Sequence, residues 1–213
     1  MKSSNQHILE YLIINKDYRD TKVAEPKSFD ELRNIIEDRY DKLGPGTEQN
    51  PIDFNDIDVS NIDSFCDVKR LFHGIKFKYI DISDWDVSSV TDMSCMFYGC
   101  KELESVGDIS KWDVSSVTNM AYMFTGCTNL NQDISDWSVS LVTDMQYMFF
   151  GCENFNQNIS SWDVSKVTDM GSMFYGCKSF NQDLSKWNVS NVTNRLGIFY
   201  RCGIKSEYKP KFK

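Results

Sequence analysis

Seven cysteines and two histidines, His7 and His73, are the side chains of this 213-residue chain best suited to nucleophilic or metal chemistry. Five of the cysteines recur almost regularly, at Cys100, Cys127, Cys152, Cys177 and Cys202. Thiolates on adjacent rungs of a stack would suit a soft metal. Each of the five, however, closes the same run of apolar residues. Free cysteine is among the most buried residue types and packs as a small hydrophobe, so packing is the favoured reading. Cys66 and Cys95 stand off this series, and Cys95 is the better candidate for a reactive thiol. An odd number of cysteines leaves at least one without a disulfide partner. No Ser-His-Asp or Cys-His arrangement and no glycine-rich phosphate loop is suggested. The expectation is a protein that is not an enzyme, with no cofactor and no metal site.

The elements that would position these residues follow from a second series. Tryptophan stands at Trp85, Trp112, Trp137, Trp162 and Trp187, in steps of 27, 25, 25 and 25 residues. A fixed period of this size marks a solenoid of stacked coils. Coils begin at Asp81, Asp108, Asp133, Asn158 and Asp183, with a degenerate first coil near Asp53, giving about six coils over residues 53–204. In the coil from Asp81, the spacing of Ile82, Trp85 and Val87 predicts a short parallel strand with Trp85 and Val87 on one face. Met93, Met96, Phe97 and Cys100 follow i, i+3, i+4, i+7 and predict a helix of about two turns. Ser94, Ala121, Gln146 and Gly171 would then face away from the core. Thr91-Asp92 and its equivalents are placed to cap that helix, and Gly99, Gly126, Gly151 and Gly176 to end it.

The repeated signature D-I-S-x-W-D-V-S-x-V-T-D-M-x-x-M-F-x-G-C-x-x-F-N-Q resembles the BspA-like leucine-rich-repeat surface-protein family, in its Trp-containing mycoplasma-lipoprotein form. The resemblance is strong over residues 81–202 and weaker over 53–80. It implies an α/β repeat fold: a right-handed leucine-rich-repeat-like solenoid with one short strand and one short helix per coil. It implies attachment or protein binding, and no catalytic activity.

Ends of such an array need covering. Ser28 and Glu31 form a capping-box pattern, Phe29, Leu32, Ile35, Ile36 and Leu43 lie near one face, and Gly44-Pro45-Gly46 ends the element. Residues 1–52 therefore read as a helical N-terminal cap, with a second helix around Ile8–Ile14. At the other end Arg195 replaces the methionine of earlier coils, which marks the array's end near residue 204. Residues 205–213 read as a solvated basic tail with Lys205, Lys209, Lys211 and Lys213.

The net charge of −8 disfavours nucleic acid. No run approaches the ~20 apolar residues of a membrane helix. Glu10 interrupts the apolar N-terminal stretch and no cleavage site or lipobox follows, so a cytoplasmic location is expected; the family resemblance makes the cell surface the alternative. A monomer is favoured. Two surfaces are candidates for an unknown protein partner. Asp84, Asp86, Asp113, Asp136 and Asp163 flank the tryptophans and would form an acidic strip ~20–25 Å long at ~4.8 Å per step, steering a basic segment. Tyr122, Tyr147, Phe150, Tyr175 and Tyr200 would form an aromatic strip, a composition enriched in interface hot spots. Asn131, Asn156, Asn181 and the glutamines after them read as turn-stabilising amides. The function expected is a protein-interaction scaffold. A small phage or mobile-element effector that occludes a cellular protein, and an adhesin exported by an unrecognised route, are the alternatives.

Overall fold

The computed structural model describes residues 24–65 and 71–212. His7, Cys66 and the expected helix at Ile8–Ile14 lie outside them. The described elements are helix α1 (Phe29–Leu43), strands β1 (Ile52–Asp53) and β2 (Ile80–Asp81), and a 3-10 turn at Ser206–Tyr208. Helix α1 starts where the sequence places it. Ser28 Oγ accepts the Glu31 N–H at 3.2 Å, and the Glu31 carboxylate accepts the Lys27 N–H at 2.7 Å, using donors that the first turn leaves unpaired. Gly44, at φ 78°, donates to the Tyr40 carbonyl and ends the helix. Leu32 and Ile36 are fully buried, each stabilising the contact by roughly 1.5–3 kcal/mol.

From residue 52 onward, successive repeats lie side by side in parallel register. β1 pairs with β2, and isolated parallel bridges link Asp92 to Asn119, Asn119 to Asp144, Asp144 to Asp169 and Asp169 to Asn194. These bridges sit at the Asp or Asn after each threonine, not at the tryptophans. The Trp-Val segments are irregular stretches between turns, and residues 94–99 and their equivalents are turns. Two features prevent a helix at 93–100. Met96, Tyr98 and Cys100 donate to the carbonyls three residues back, which closes turns in place of the i→i−4 bonds of a helix. Cys95 and Gly99 have φ of 60° and 75°, a left-handed backbone that breaks a right-handed helix. Spacings of three and four therefore arise from consecutive turns. Ser94, Ala121 and Gly171 are buried rather than outward-facing.

Backbone polarity within these turns is uniform. The N–H groups of Met120, Tyr122, Phe124 and Gly126 donate to the carbonyls of Asp144, Gln146, Met148 and Phe150, at 2.7–3.0 Å. The repeats starting at Asp81, Asp133 and Asn158 bond forward in the same way: Met93, Cys95, Phe97 and Gly99 donate to Asn119, Ala121, Met123 and Thr125. Every donor of this row points toward the C-terminal end of the stack and every acceptor toward the N-terminal end.

The core is a set of side-chain columns. Phe97, Phe124, Phe149, Phe174 and Phe199 stack with centroids 5.5–5.8 Å apart. The tryptophans are buried, and Trp85, Trp137, Trp162 and Trp187 donate Nε1–H to Phe54, Ile109, Ile134 and Ile159 carbonyls in the preceding repeat. Trp112, which ends the 27-residue step, is the buried exception whose Nε1 has no partner. Amide side chains join the turns: Asn131 and Asn156 Oδ1 accept from the Asn156 and Asn181 N–H groups, and Gln157 and Gln182 donate to the Asn131 and Asn156 carbonyls.

The basic tail is packed rather than solvated. Pro210 is buried, and Tyr208 and Phe212 pack against the core. Tyr208 O accepts from Leu184 N–H at 2.8 Å. Aromatic residues interleaved with the lysines cause this: Lys209 lies over Phe199 and Arg195 over Phe212, at 5.7 and 5.1 Å from the ring centroids, the geometry of cation–π attraction.

Candidate functional site

The acidic residues occupy turn corners. Asp86 Oδ1 accepts from the Ser88 N–H at 3.0 Å and its hydroxyl at 2.7 Å. Asp113 and Asp163 accept from the Ser115 and Ser165 N–H groups at 3.0 Å. An Asp bonding to backbone two residues on builds an Asx turn. The bonded serines hold the carboxyls of Asp86, Asp113 and Asp163 below the ordinary value. All three are exposed, as are Asp84 and Asp136. The same bond recurs at two further corners of the repeat, for example Asp133 to Ser135 and Asp144 to Gln146. Asp-x-Ser is thus the turn code of the repeat. The carboxylates form an uneven strip. Asp86 opposes the ionisation of Asp58 and of Asp113, whereas Ser138 interrupts the series and Lys166 acts favourably on Asp163.

The aromatic residues form a continuous stack. Tyr122 and Tyr147 lie 4.9 Å apart with rings 4° from parallel. Tyr147 meets Phe150 at 5.5 Å, Phe150 meets Tyr175 at 4.6 Å, and Tyr175 meets Tyr200 at 5.0 Å. Tyr98 and His73 extend the stack toward the N-terminal end; neither belongs to the five-residue strip expected from sequence, although Tyr98 occupies the Phe150 position of its repeat. Tyr122, Tyr147, Phe150 and Tyr175 are half-buried and Tyr200 is exposed. Burial first, then the neighbouring Tyr147, raises the Tyr122 hydroxyl above its ordinary pKa. The turns hold these rings at a conformational cost: Tyr122 and Tyr147 have φ of 61° and 55°, a region that costs a side-chain-bearing residue about 1 kcal/mol.

The cysteine column consists of free thiols, buried at Cys100, Cys127, Cys152 and Cys177. Cys127, Cys152 and Cys177 donate S–H to the carbonyls of Phe97, Phe124 and Phe149 at 2.9–3.1 Å. Burial pushes the Cys100 thiol up to about 12 and the next three upward as well. No cluster of three or more His, Cys, Asp or Glu suited to a metal ion occurs among the described residues. No helix among them is long and apolar enough to cross a membrane.

A family model described as "Mycoplasma protein of unknown function, DUF285" matches residues 47–140 and again 102–208. The chain belongs to this family. Comparisons with curated proteins and with solved structures give no match. The DUF285 matches span both the acidic corners and the aromatic stack, and run through the last repeat into Tyr208. Helix α1 precedes them. Its Arg33 is a structural residue that the sequence pattern does not single out: Nη1 and Nη2 donate to the Leu71 and His73 carbonyls at 2.9 and 3.0 Å.

Proposed function

We propose that this DUF285 chain is a non-enzymatic protein-binding scaffold, built as a right-handed leucine-rich-repeat-like solenoid of the BspA type, with the aromatic stack as its binding face. The observation that carries this reading is the unbroken ring series from Tyr122 to Tyr200. Half-buried, pre-stacked rings lose little conformational freedom when a partner covers them, which is why aromatic anchors dominate binding energy. The Asp corners supply the acidic rim that steers a basic partner. On this reading α1 caps one end and the tail covers the other. The chain acts by shape and charge in the cytoplasm, as a monomer.

Affinity capture with the purified full chain, read by mass spectrometry, tests the reading. A partner retained by the native chain and lost on Tyr147→Ala/Phe150→Ala/Tyr175→Ala, with the circular dichroism spectrum unchanged, supports the stack. Asp86→Lys/Asp113→Lys/Asp163→Lys should slow association and reduce its salt dependence. A partner retained equally by both triple variants removes the assignment.

A further inference from the structure

The row of forward-pointing N–H groups has no receiving repeat after residue 201. In the repeat before, Ser172, Phe174 and Gly176 donate to the Leu196, Ile198 and Tyr200 carbonyls. The equivalent donors one repeat later are Gly197, Phe199 and Arg201. No carbonyl among the described residues accepts from them. The tail covers the apolar cross-section beside this row without pairing with it: the tail-to-repeat backbone bonds run from Leu184 to Tyr208 and from Gly203 to Cys177.

Three further features meet at this edge. Leu196 and Tyr200 are 83% and 54% exposed, and among the described residues the one other exposed large hydrophobic side chain is Leu141 at 41%. Arg195, Arg201 and Lys205 are exposed around it, on a chain whose net charge is −8. Aligned peptide groups also sum their dipoles, as in a helix. The N–H groups of this row point to the C-terminal end, whereas those of Thr118, Thr143, Thr168 and Thr193 point the other way, so the partial positive charge is local to the 197–201 edge. The opposite end already holds the matching cation: Arg33 on the Leu71 and His73 carbonyls. By the same electrostatics the N–H end calls for an anion.

We propose that the edge formed by residues 195–201 is a docking site for an acidic polypeptide segment of another protein, which adds to the stack by main-chain pairing. Its carbonyls accept from Gly197, Phe199 and Arg201, its apolar residues cover Leu196 and Tyr200, and its carboxylates meet Arg201. Strand addition of this kind takes affinity from the backbone and specificity from the flanking side chains. A second copy of this chain does not fit. Joined head to tail, it would need its own acceptor edge, which Arg33 occupies; joined tail to tail, donors would face donors. The site shares Tyr200 with the end of the aromatic stack but none of Tyr122, Tyr147 and Phe150, so the two readings fail separately.

The test uses the full chain and a fluorescein-labelled ten-residue peptide of alternating glutamate and valine. Its controls are the lysine–valine peptide and the glutamate–valine peptide N-methylated at alternate residues on one edge, then on the other. The expected result is saturable binding of the glutamate–valine peptide, at least tenfold weaker for the lysine peptide. NMR shifts should centre on the amides of Gly197, Phe199 and Arg201. Leu196→Glu/Arg201→Glu should weaken binding at least tenfold, while Tyr147→Ala/Phe150→Ala leaves it unchanged. Absence of saturable binding, equal binding of the lysine peptide, or shifts confined to the Tyr122–Tyr175 stack overturns the proposal. Binding abolished equally by both methylation patterns also overturns it, because the edge uses acceptors on one side of the peptide and tolerates one pattern.

Discussion

The two ends of the repeat array face opposite electrostatic problems and treat them differently. At the N-terminal end the backbone offers carbonyls, and α1 brings two arginines to them. Arg33 bonds the Leu71 and His73 carbonyls. Arg39, almost fully buried, grips both carboxylate oxygens of Asp56 at 2.6 and 2.9 Å and lies 5.0 Å over Phe54. At the C-terminal end the backbone offers N–H groups. The tail covers the core there through Tyr208, Pro210 and Phe212, and no carbonyl among the described residues accepts from Gly197, Phe199 or Arg201. Among the described residues, one end has side-chain donors on two of its carbonyls as well as a covered core, the other a covered core alone. A cap on a repeat array therefore has two separable tasks, covering apolar side chains and satisfying the polar row.

The sealed end should be the more sensitive to mutation. Arg39→Met leaves Asp56 without its partner and should destabilise the protein by about 3–5 kcal/mol, measured by urea unfolding. A loss near zero would mean that the ion pair adds nothing to the capping contact. Arg33→Ala uncovers two acceptors and should cost about 1–3 kcal/mol, whereas Leu196→Ser at the open end should stay within about 0.5 kcal/mol. Equal losses would erase the distinction between the ends. Within the stack, Trp137→Phe removes the Nε1–H bond to Ile109, and Trp112→Phe removes a donor that has no acceptor. Trp137→Phe should be the more damaging by about 1 kcal/mol. Finally, Tyr147→Gly should be about 1 kcal/mol more stable than Tyr147→Ala, because Gly tolerates φ 55° without a Cβ penalty; Gly197 already stands at that place in the last repeat, at φ 69°.

Features carried by side-chain type alone were legible in the sequence. The 25-residue register, the buried Trp and Cys columns and the Asn/Gln turn amides all follow from repeated residue identities. Helix α1 was readable from Ser28, Glu31 and Gly44, because capping is local chemistry. The turns were not. Met93, Met96, Phe97 and Cys100 fit helical spacing, since successive turns closed by i→i+3 bonds also return side chains to one face every three or four residues. The deciding signal is the left-handed backbone at Cys95 and Tyr122, which residue types disfavouring that region do not announce. Asp92 does accept a backbone N–H two residues on, from Ser94, as a capping residue would; the chain then turns instead of coiling. The direction of the peptide row is invisible to pattern reading, because it depends on backbone orientation rather than on side chains. Arg33 was overlooked for the same reason: its partners are carbonyls. The Tyr147, Phe150 and Tyr175 positions were found because spacing alone puts Tyr147 and Phe150 three residues apart in one repeat and Tyr175 at the Phe150 place of the next.

The most direct test of this account is amide hydrogen exchange on the free, full-length protein, resolved by residue across the last two repeats. The amides of Ser172, Phe174 and Gly176, bonded to the next repeat, should be strongly protected, and those of Gly197, Phe199 and Arg201 should exchange at least a hundredfold faster under the same native conditions. Equal protection of the two sets would show that the last row has an acceptor, and would contradict both the open edge and the docking site built on it.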